Sequence, residues 1–295
     1  MAERKVYLGP LTDSRRWDHL SLRPDDVIVA TPPKSGTTLM QTIIALLLSG
    51  DPEIDPQLSL NAPWVDIRVR EIAEVAARLE VMTARRSLKS HTPLDGLPVG
   101  AGGQFICVFR HPLDVHFSYR KHLRNMPMPF FGLWYPEDDP DGVTFRRFLD
   151  GGAEGFDTDA VPLALILQHY RAARDAAAVH GNVSLFHFAD MTRDIAGTFD
   201  RVARILGVTH PPHVMADLQA VVAFDNMRAQ ASRYAPGGGT GFMKSDADFF
   251  DSGSHGKWEG ALPAAELAAY DSLMAQGLPP QERAWLEFGE RGQPD

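Results

Sequence analysis

Short apolar runs alternate with longer stretches of helical periodicity along most of this chain. Val27, Ile28, Val29 and Ala30 form a β-branched run of strand length, which reads as a buried strand. Pro32 and Pro33 end it, because neither can donate to a sheet ladder. From Leu39 the apolar residues recur at helical spacing until Gly50, a residue type that favours a helix end. Ile72, Val75, Ala76 and Leu79 fall on one side of a helix predicted over 69–82. Residues 104–109 are the clearest second strand, and Pro112 opens a helix directly behind it. The pattern predicts a long helix over 161–179 and a third strand over 183–188, after the Gly181-Asn182 turn. An amphipathic helix comes next over 192–206, stopped by Gly207, and residues 264–288 return to helix. Leu88, Lys89, Ser90 and His91 stand between these elements as a short segment ended by Pro93.

Strand and helix in alternation specify an α/β fold with a central parallel sheet flanked by helices. No Ser/Gly-rich linker or internal repeat divides the sequence, so residues 1–295 read as one domain. Residues 236–260 turn to Gly, Ser, Asp and Phe with weak periodicity. A segment of that kind is either a functional lid or poorly ordered.

Composition narrows the function. A hydrophobic fraction of 44% in 295 residues supports a sizeable core. The net charge of −9 argues against a general nucleic-acid binder. The single cysteine, Cys107, excludes an intramolecular disulfide and a multi-cysteine metal site. Its apolar neighbours make it a buried, inert thiol. The N-terminus leads into no apolar segment of signal-peptide kind, and the longest purely apolar run, 43–48, is far too short to span a bilayer. A cytoplasmic protein without membrane insertion is expected.

The candidate chemistry begins between the first strand and its helix. Lys34, Ser35, Gly36, Thr37 and Thr38 form a tight loop at a helix N-terminus. First-turn N–H groups and the helix dipole favour an anion there. Gly36 permits close backbone approach, the threonines add hydroxyls and Lys34 adds a mobile cation. Such a loop suits phosphate or sulfate. It is not a Walker A sequence, since Lys34 precedes the only glycine.

Thr31-Pro-Pro-Lys-Ser-Gly-Thr-Thr38 resembles the 5′-phosphosulfate loop of the cytosolic-type sulfotransferase family. Lys89-Ser90-His91 is similar to that family's Lys-Thr-His segment, and Arg110 through Ser118 and Tyr119 to its 3′-phosphate segment. The stretch from Asp190-Met191 to Leu206-Gly207 resembles the family's segment beyond its third core strand. Gly253-Ser-His-Gly-Lys-Trp258 is a weaker echo of the C-terminal Gly-x-x-Gly-x-Trp. The match runs from about residue 27 to residue 260, with its motifs in order.

The resemblance implies a P-loop-like fold and 3′-phosphoadenosine 5′-phosphosulfate as co-substrate. It also implies a hydroxyl or amine on a small acceptor, and no metal. Lys34 would stabilise charge on the leaving phosphate, and the N–H groups of Ser35, Gly36, Thr37 and Thr38 would hold it, with Leu39 beside them. Arg110 would offer a planar fork to the 3′-phosphate and Ser118 a hydroxyl, their spacing of eight suggesting one helix face. His91 would be the general base and Lys89 would help neutralise the sulfuryl group. Only its partnership with Lys89 and the resemblance lift His91 above the other members of a set of 11 histidines. Asp114, also in the matched segment, reads as a helix-start charge.

Several positions depart from the family pattern. Leu39 stands where an aromatic residue commonly stacks on adenine, and Phe188 where Tyr is usual. Phe224, near Met227, then becomes the adenine platform, with Gly253 also at the nucleotide. Asp251-Ser252-Gly253 replaces the usual Arg-Lys-Gly, which leaves Arg110 and Ser118 to hold the 3′-phosphate unless Lys244 or Lys257 compensates. Trp64, Phe130, Phe131, Trp134 and Tyr135 suggest an apolar or aromatic acceptor site, or else a small cluster closing the core. Two other functions stay open: a nucleotide kinase or phosphatase with Asp190 as a Mg²⁺ ligand, and a non-catalytic nucleotide-binding module. A homodimer is open too.

Overall fold

The computed structural model describes residues 4–127, 142–151, 159–250, 253 and 255–292. Four strands, β1 (Val27–Ala30), β2 (Ser87–Ser90), β3 (Gln104–Phe109) and β4 (Val183–His187), form one sheet in the order β2-β1-β3-β4. Every pairing is parallel. β1 is buried throughout, and its side chains alternate between two apolar layers. Val27 and Val29 belong to the same apolar cluster as Ile43, Ile44 and Val108, while Ile28 and Ala30 belong to a second one with Phe105, Phe109 and Ile166. This two-sided burial is what an all-parallel sheet requires, and it explains the unbroken apolar run in the sequence.

The apolar pattern does not predict β2 as a strand, because Ser87-Leu-Lys-Ser carries one apolar residue. Its backbone nonetheless pairs with β1, and its outer edge is bridged by residues 63–65, with Lys89 N–H donating to Pro63 O at 2.9 Å. Helix α1 (Thr37–Ser49) begins two residues before the predicted start, capped by left-handed Gly36. The other differences are local. Residues 188–206 form two helices, Phe188–Arg193 and Ile195–Leu206, because the Asp194 carboxylate caps the second by accepting from Gly197 N–H at 2.8 Å. The C-terminal helical stretch breaks into Ala264–Gly277 and Pro280–Phe288, where Pro279 and Pro280 hold Leu278 extended. Cys107 is buried in β3, and burial pushes its thiol up.

The C-terminal ends of β1, β2, β3 and β4 share one edge of the sheet. The β1–α1 loop, His91, Arg110 and Phe188 all come directly after these ends, the usual place for a site in an open α/β sheet.

Candidate active site

The loop after β1 is held from beneath. Lys34 and Gly36 both have positive φ, 65° and 112°. A Cβ on Gly36 would lie 2.7 Å from Phe188 Cδ2 and 3.3 Å from Val108 Cγ1. Only glycine fits this turn. Thr31 Oγ1 and Thr37 Oγ1 are 2.5 Å apart, tying the end of β1 to the first turn of α1. The first intrahelical bond runs from Met40 N–H to Gly36 O, so the preceding amides point outward without an intrahelical partner. This cradle fits an anionic group. Ser35 contributes differently from its neighbours. It is fully buried and outside the cavity lining, and its N–H leans on Pro32 O at 3.4 Å. The Lys34 ammonium lies over the Phe249 ring, 3.8 Å from its centroid.

Arg110 leaves the end of β3 and stacks on Phe188, with its guanidinium carbon 4.7 Å from the ring centroid. The same guanidinium reaches Lys34 O at 3.5 Å, so it stands against the anion loop. Ser118 does not share a helix with it, since the helix runs Pro112–Arg124. The two come together because that helix starts where β3 stops, with the His111 ring accepting from Leu113 N–H as the cap. Asp114 does more than mark a helix start. Its carboxylate accepts from Gly256 N–H at 3.1 Å and Lys257 N–H at 3.0 Å, pinning the C-terminal segment over the site. Trp258 stacks on His111 in the same segment, 5.0 Å between centroids. Gly253 is left-handed and packs so closely on Phe224 that a Cβ would fall 2.7 Å from that ring.

Across the cleft, His91 comes after β2. Its Nδ1 lies 2.7 Å from Thr31 O. A carbonyl can only accept, so Nδ1 carries the proton and Nε2 the lone pair. Its backbone N–H donates to Asp66 Oδ2 at 2.6 Å, and its ring meets Trp64 edge-on at 4.8 Å. Asp66, completely buried, also accepts from Trp17 Nε1, from Trp64 Nε1 at 3.1 Å and from Ser90 Oγ at 2.9 Å. Burial pushes this carboxyl up while those four donors pull it back. Lys89 lies over the Trp64 ring at 4.5 Å, its amine pushed down to about 8 by burial against the pull of Asp66. Burial, and then the Lys89 charge, hold His91 well below the ordinary imidazole range. It is therefore a neutral imidazole with an available lone pair.

These two halves face a common cavity of about 830 Å³. Lys34, Gly36, Thr37, Thr38, Leu39, Trp64, Lys89, His91, Arg110, Ser118, Phe188, Phe224, Met227 and Gly253 all line it. Lys257 lines it as well, whereas Lys244 does not. Phe130, Phe131, Trp134, Tyr135, Asp251 and Ser252 lie outside the described residues. Asp190 stands apart, paired with Arg193 at 2.5 Å and accepting from Glu290 N–H at 3.0 Å. Sequence reasoning missed Asp66, Phe249 and His122. Only His122 had a readable signal, because it lies one helical turn beyond Ser118.

Residues 24–280 match the family model described as the sulfotransferase domain. The chain belongs to the sulfotransferase family. It is 32% identical to the "Glycolipid sulfotransferase" of Mycobacterium bovis, over 99% of this chain and 97% of that protein. A protein of the same description from Mycobacterium tuberculosis is also 32% identical, over the same shares. Rat "Sulfotransferase 1A1" is 23% identical over 92% of this chain and 88% of its own. Among solved structures, mouse sulfotransferase SULT7A1 complexed with PAP has the same fold, with a TM-score of 0.67 at 18% identity over 88% of this chain and 86% of that one. Retinol dehydratase in complex with androsterone and inactive cofactor PAP gives 0.66 at 18% identity, over 93% and 90% of the chains.

Proposed function

We propose that this protein transfers a sulfuryl group from 3′-phosphoadenosine 5′-phosphosulfate to a hydroxyl of an acceptor with an apolar body, with His91 as general base. The observation that carries this reading is that the Lys34 loop, Arg110 and His91 open onto one cavity. The co-substrate, when bound, supplies the sulfuryl group and a bisphosphate leaving group. The α1 amides and Lys34 hold anionic oxygen at the loop, and Arg110, Ser118 and Lys257 serve a second phosphate. His91 Nε2 takes the acceptor proton as the acceptor oxygen bonds to sulfur and the bridging S–O bond breaks. Lys89 adds positive charge beside that oxygen. The apolar acceptor is supported by the cavity wall around Ala62, Ile67, Val69, Leu123 and Met126. The names of the mycobacterial relatives agree with a lipid-bodied acceptor.

The position of Asp190 outside the cavity disfavours the kinase reading, which needs an acidic metal ligand at the phosphates. A thermal-shift screen separates the alternatives. Adenosine 3′,5′-bisphosphate is expected to raise the Tm more than ATP or AMP does, with or without chelator. Stabilisation by ATP alone, or turnover abolished by chelator, would refute the proposal. Binding without transfer to any acceptor would mark a nucleotide-binding module.

A further inference from the structure

Arg70 is a cation on the cavity that the proposed transfer does not use. The segment that bridges the outer edge of β2 continues to it, and it lines the cavity beside Leu58, Ser59, Ile67 and Val69. The residue is exposed, so a ligand in the cavity has access to its side chain. Arg70 Nη1 donates to Ser59 O at 2.5 Å, which sets the direction of the guanidinium. Its own carbonyl accepts from Arg16 Nη2 at 2.7 Å, and Arg16 Nε donates to Val65 O at 2.7 Å. A second guanidinium therefore braces the backbone from Val65 to Arg70.

The Nε and Nη2 edge of Arg70 makes no hydrogen bond to a described residue. Arg16 and Arg78 also lack an ion pair among the described residues; Arg78 donates to Leu60 O at 3.2 Å and to Asn61 Oδ1 at 3.4 Å. Arg68 differs, being paired with Asp13 at 3.4 Å. Glu71 and Glu74 are close in sequence and exposed, yet neither forms an ion pair with these groups. In a chain of net charge −9, three such guanidiniums at one rim reverse the local sign. Along the same segment Trp64 meets His91, and Ile67 and Val69 line the cavity before Arg70. A planar fork with one free edge, at the end of an apolar wall, suits an acid group on an apolar body.

We propose that Arg70 binds an acidic group on the acceptor, so that the preferred acceptor is an anionic amphiphile with its hydroxyl at His91 and its acid at this rim. This rests on the reading that the cavity takes its acceptor at His91. Residues 64–70 span at most about 20 Å, which bounds the distance from Trp64, at the hydroxyl end, to the acid.

The test is equilibrium binding by calorimetry, with 12-hydroxydodecanoate and its uncharged methyl ester as probes. Saturating adenosine 3′,5′-bisphosphate is present throughout, so that Lys34 and Arg110 are occupied and do not take the carboxylate. Wild type is expected to bind the acid about tenfold more tightly than the ester, by a margin that shrinks as salt rises. Arg70→Met keeps an apolar stem and should erase the preference. Its affinity for the ester should be unchanged, which also shows that the variant is folded. Arg70→Lys, which keeps the charge but not the fork, should restore part of the preference. No preference in wild type, a preference that survives in Arg70→Met or ignores salt, or an equal loss for both probes would overturn the inference. Sulfuryl transfer to both probes is measured in parallel. A binding preference erased by Arg70→Met together with no transfer to either probe would count against the proposed function and not against Arg70.

Discussion

His91 Nδ1–H donates to the carbonyl oxygen of Thr31 at 2.7 Å. Thr31 also places its hydroxyl 2.5 Å from that of Thr37, at the first turn of α1. One residue at the end of β1 therefore orients the candidate base and braces the anion loop. The bond also fixes the tautomer, leaving Nε2 as the proton acceptor. The two halves of the site are aligned by the sheet itself, since the Thr31 N–H donates to Ser90 O at 3.2 Å.

The first prediction concerns the acid side of the pH profile. His91 is held well below the ordinary imidazole pKa by burial and by Lys89, so it stays neutral as pH falls through about 6.5. The acid limb of kcat/KM, which reports the free enzyme, is expected well below that value. A limb near it would show that another group is the base.

Lys89 sets the alkaline side. Its amine is pushed down to about 8, so charge beside the transferred group is lost as pH rises through that value. Transfer should fall above pH 8 in the wild type. Lys89→Arg, charged at every working pH, should move that limb upward; an unmoved limb would remove Lys89 from the chemistry.

Gly36→Ala places a methyl 2.7 Å from Phe188 at φ 112°. The expected cost is about 1–3 kcal/mol in stability, with weaker binding of adenosine 3′,5′-bisphosphate because the loop must shift. Urea melts and calorimetry read the two effects, and wild-type values in both would mean the cradle tolerates a side chain.

Lys257 lines the cavity on the segment pinned by Asp114. Lys257→Met should weaken adenosine 3′,5′-bisphosphate about tenfold, the loss of one charge-assisted hydrogen bond. Asp251→Arg should tighten it. Unchanged affinity in both variants would separate this segment from the 3′-phosphate.

Buried histidines also set the acid stability. His169 is pushed down to about 3, and His111 and His187 to about 4, each mainly by burial. Their unfolded forms bind protons first, so stability is full above about pH 6.5 and falls as pH drops toward 4. Each contributes a slope of about 1.4 kcal/mol per pH unit within that window. His169→Gln, which keeps a donor for His91 O, should flatten the slope by one proton; an identical slope would contradict this assignment.

The fold was legible where burial is two-sided and local, as in β1 and β3. β2 was not, because Lys89 and two serines lie in it and neighbouring chain, not its own apolarity, buries it. The anion loop was readable from Lys34, Gly36 and the threonines, since backbone conformation and helix polarity are local properties. Asp66 was not readable: its four donors come from Trp17, Trp64, Ser90 and His91, which only the fold assembles. Asp114 looked like a helix-start charge because its partners, Gly256 and Lys257, lie far along the chain.

Transfer of labelled sulfate from 3′-phosphoadenosine 5′-phosphosulfate to n-octyl β-glucoside, by wild type and His91→Ala side by side, tests the central claim most directly. Wild type should form the sulfate ester, and His91→Ala should lose about 10²–10⁴-fold in kcat while binding adenosine 3′,5′-bisphosphate normally. Turnover by His91→Ala at the wild-type rate would contradict the account.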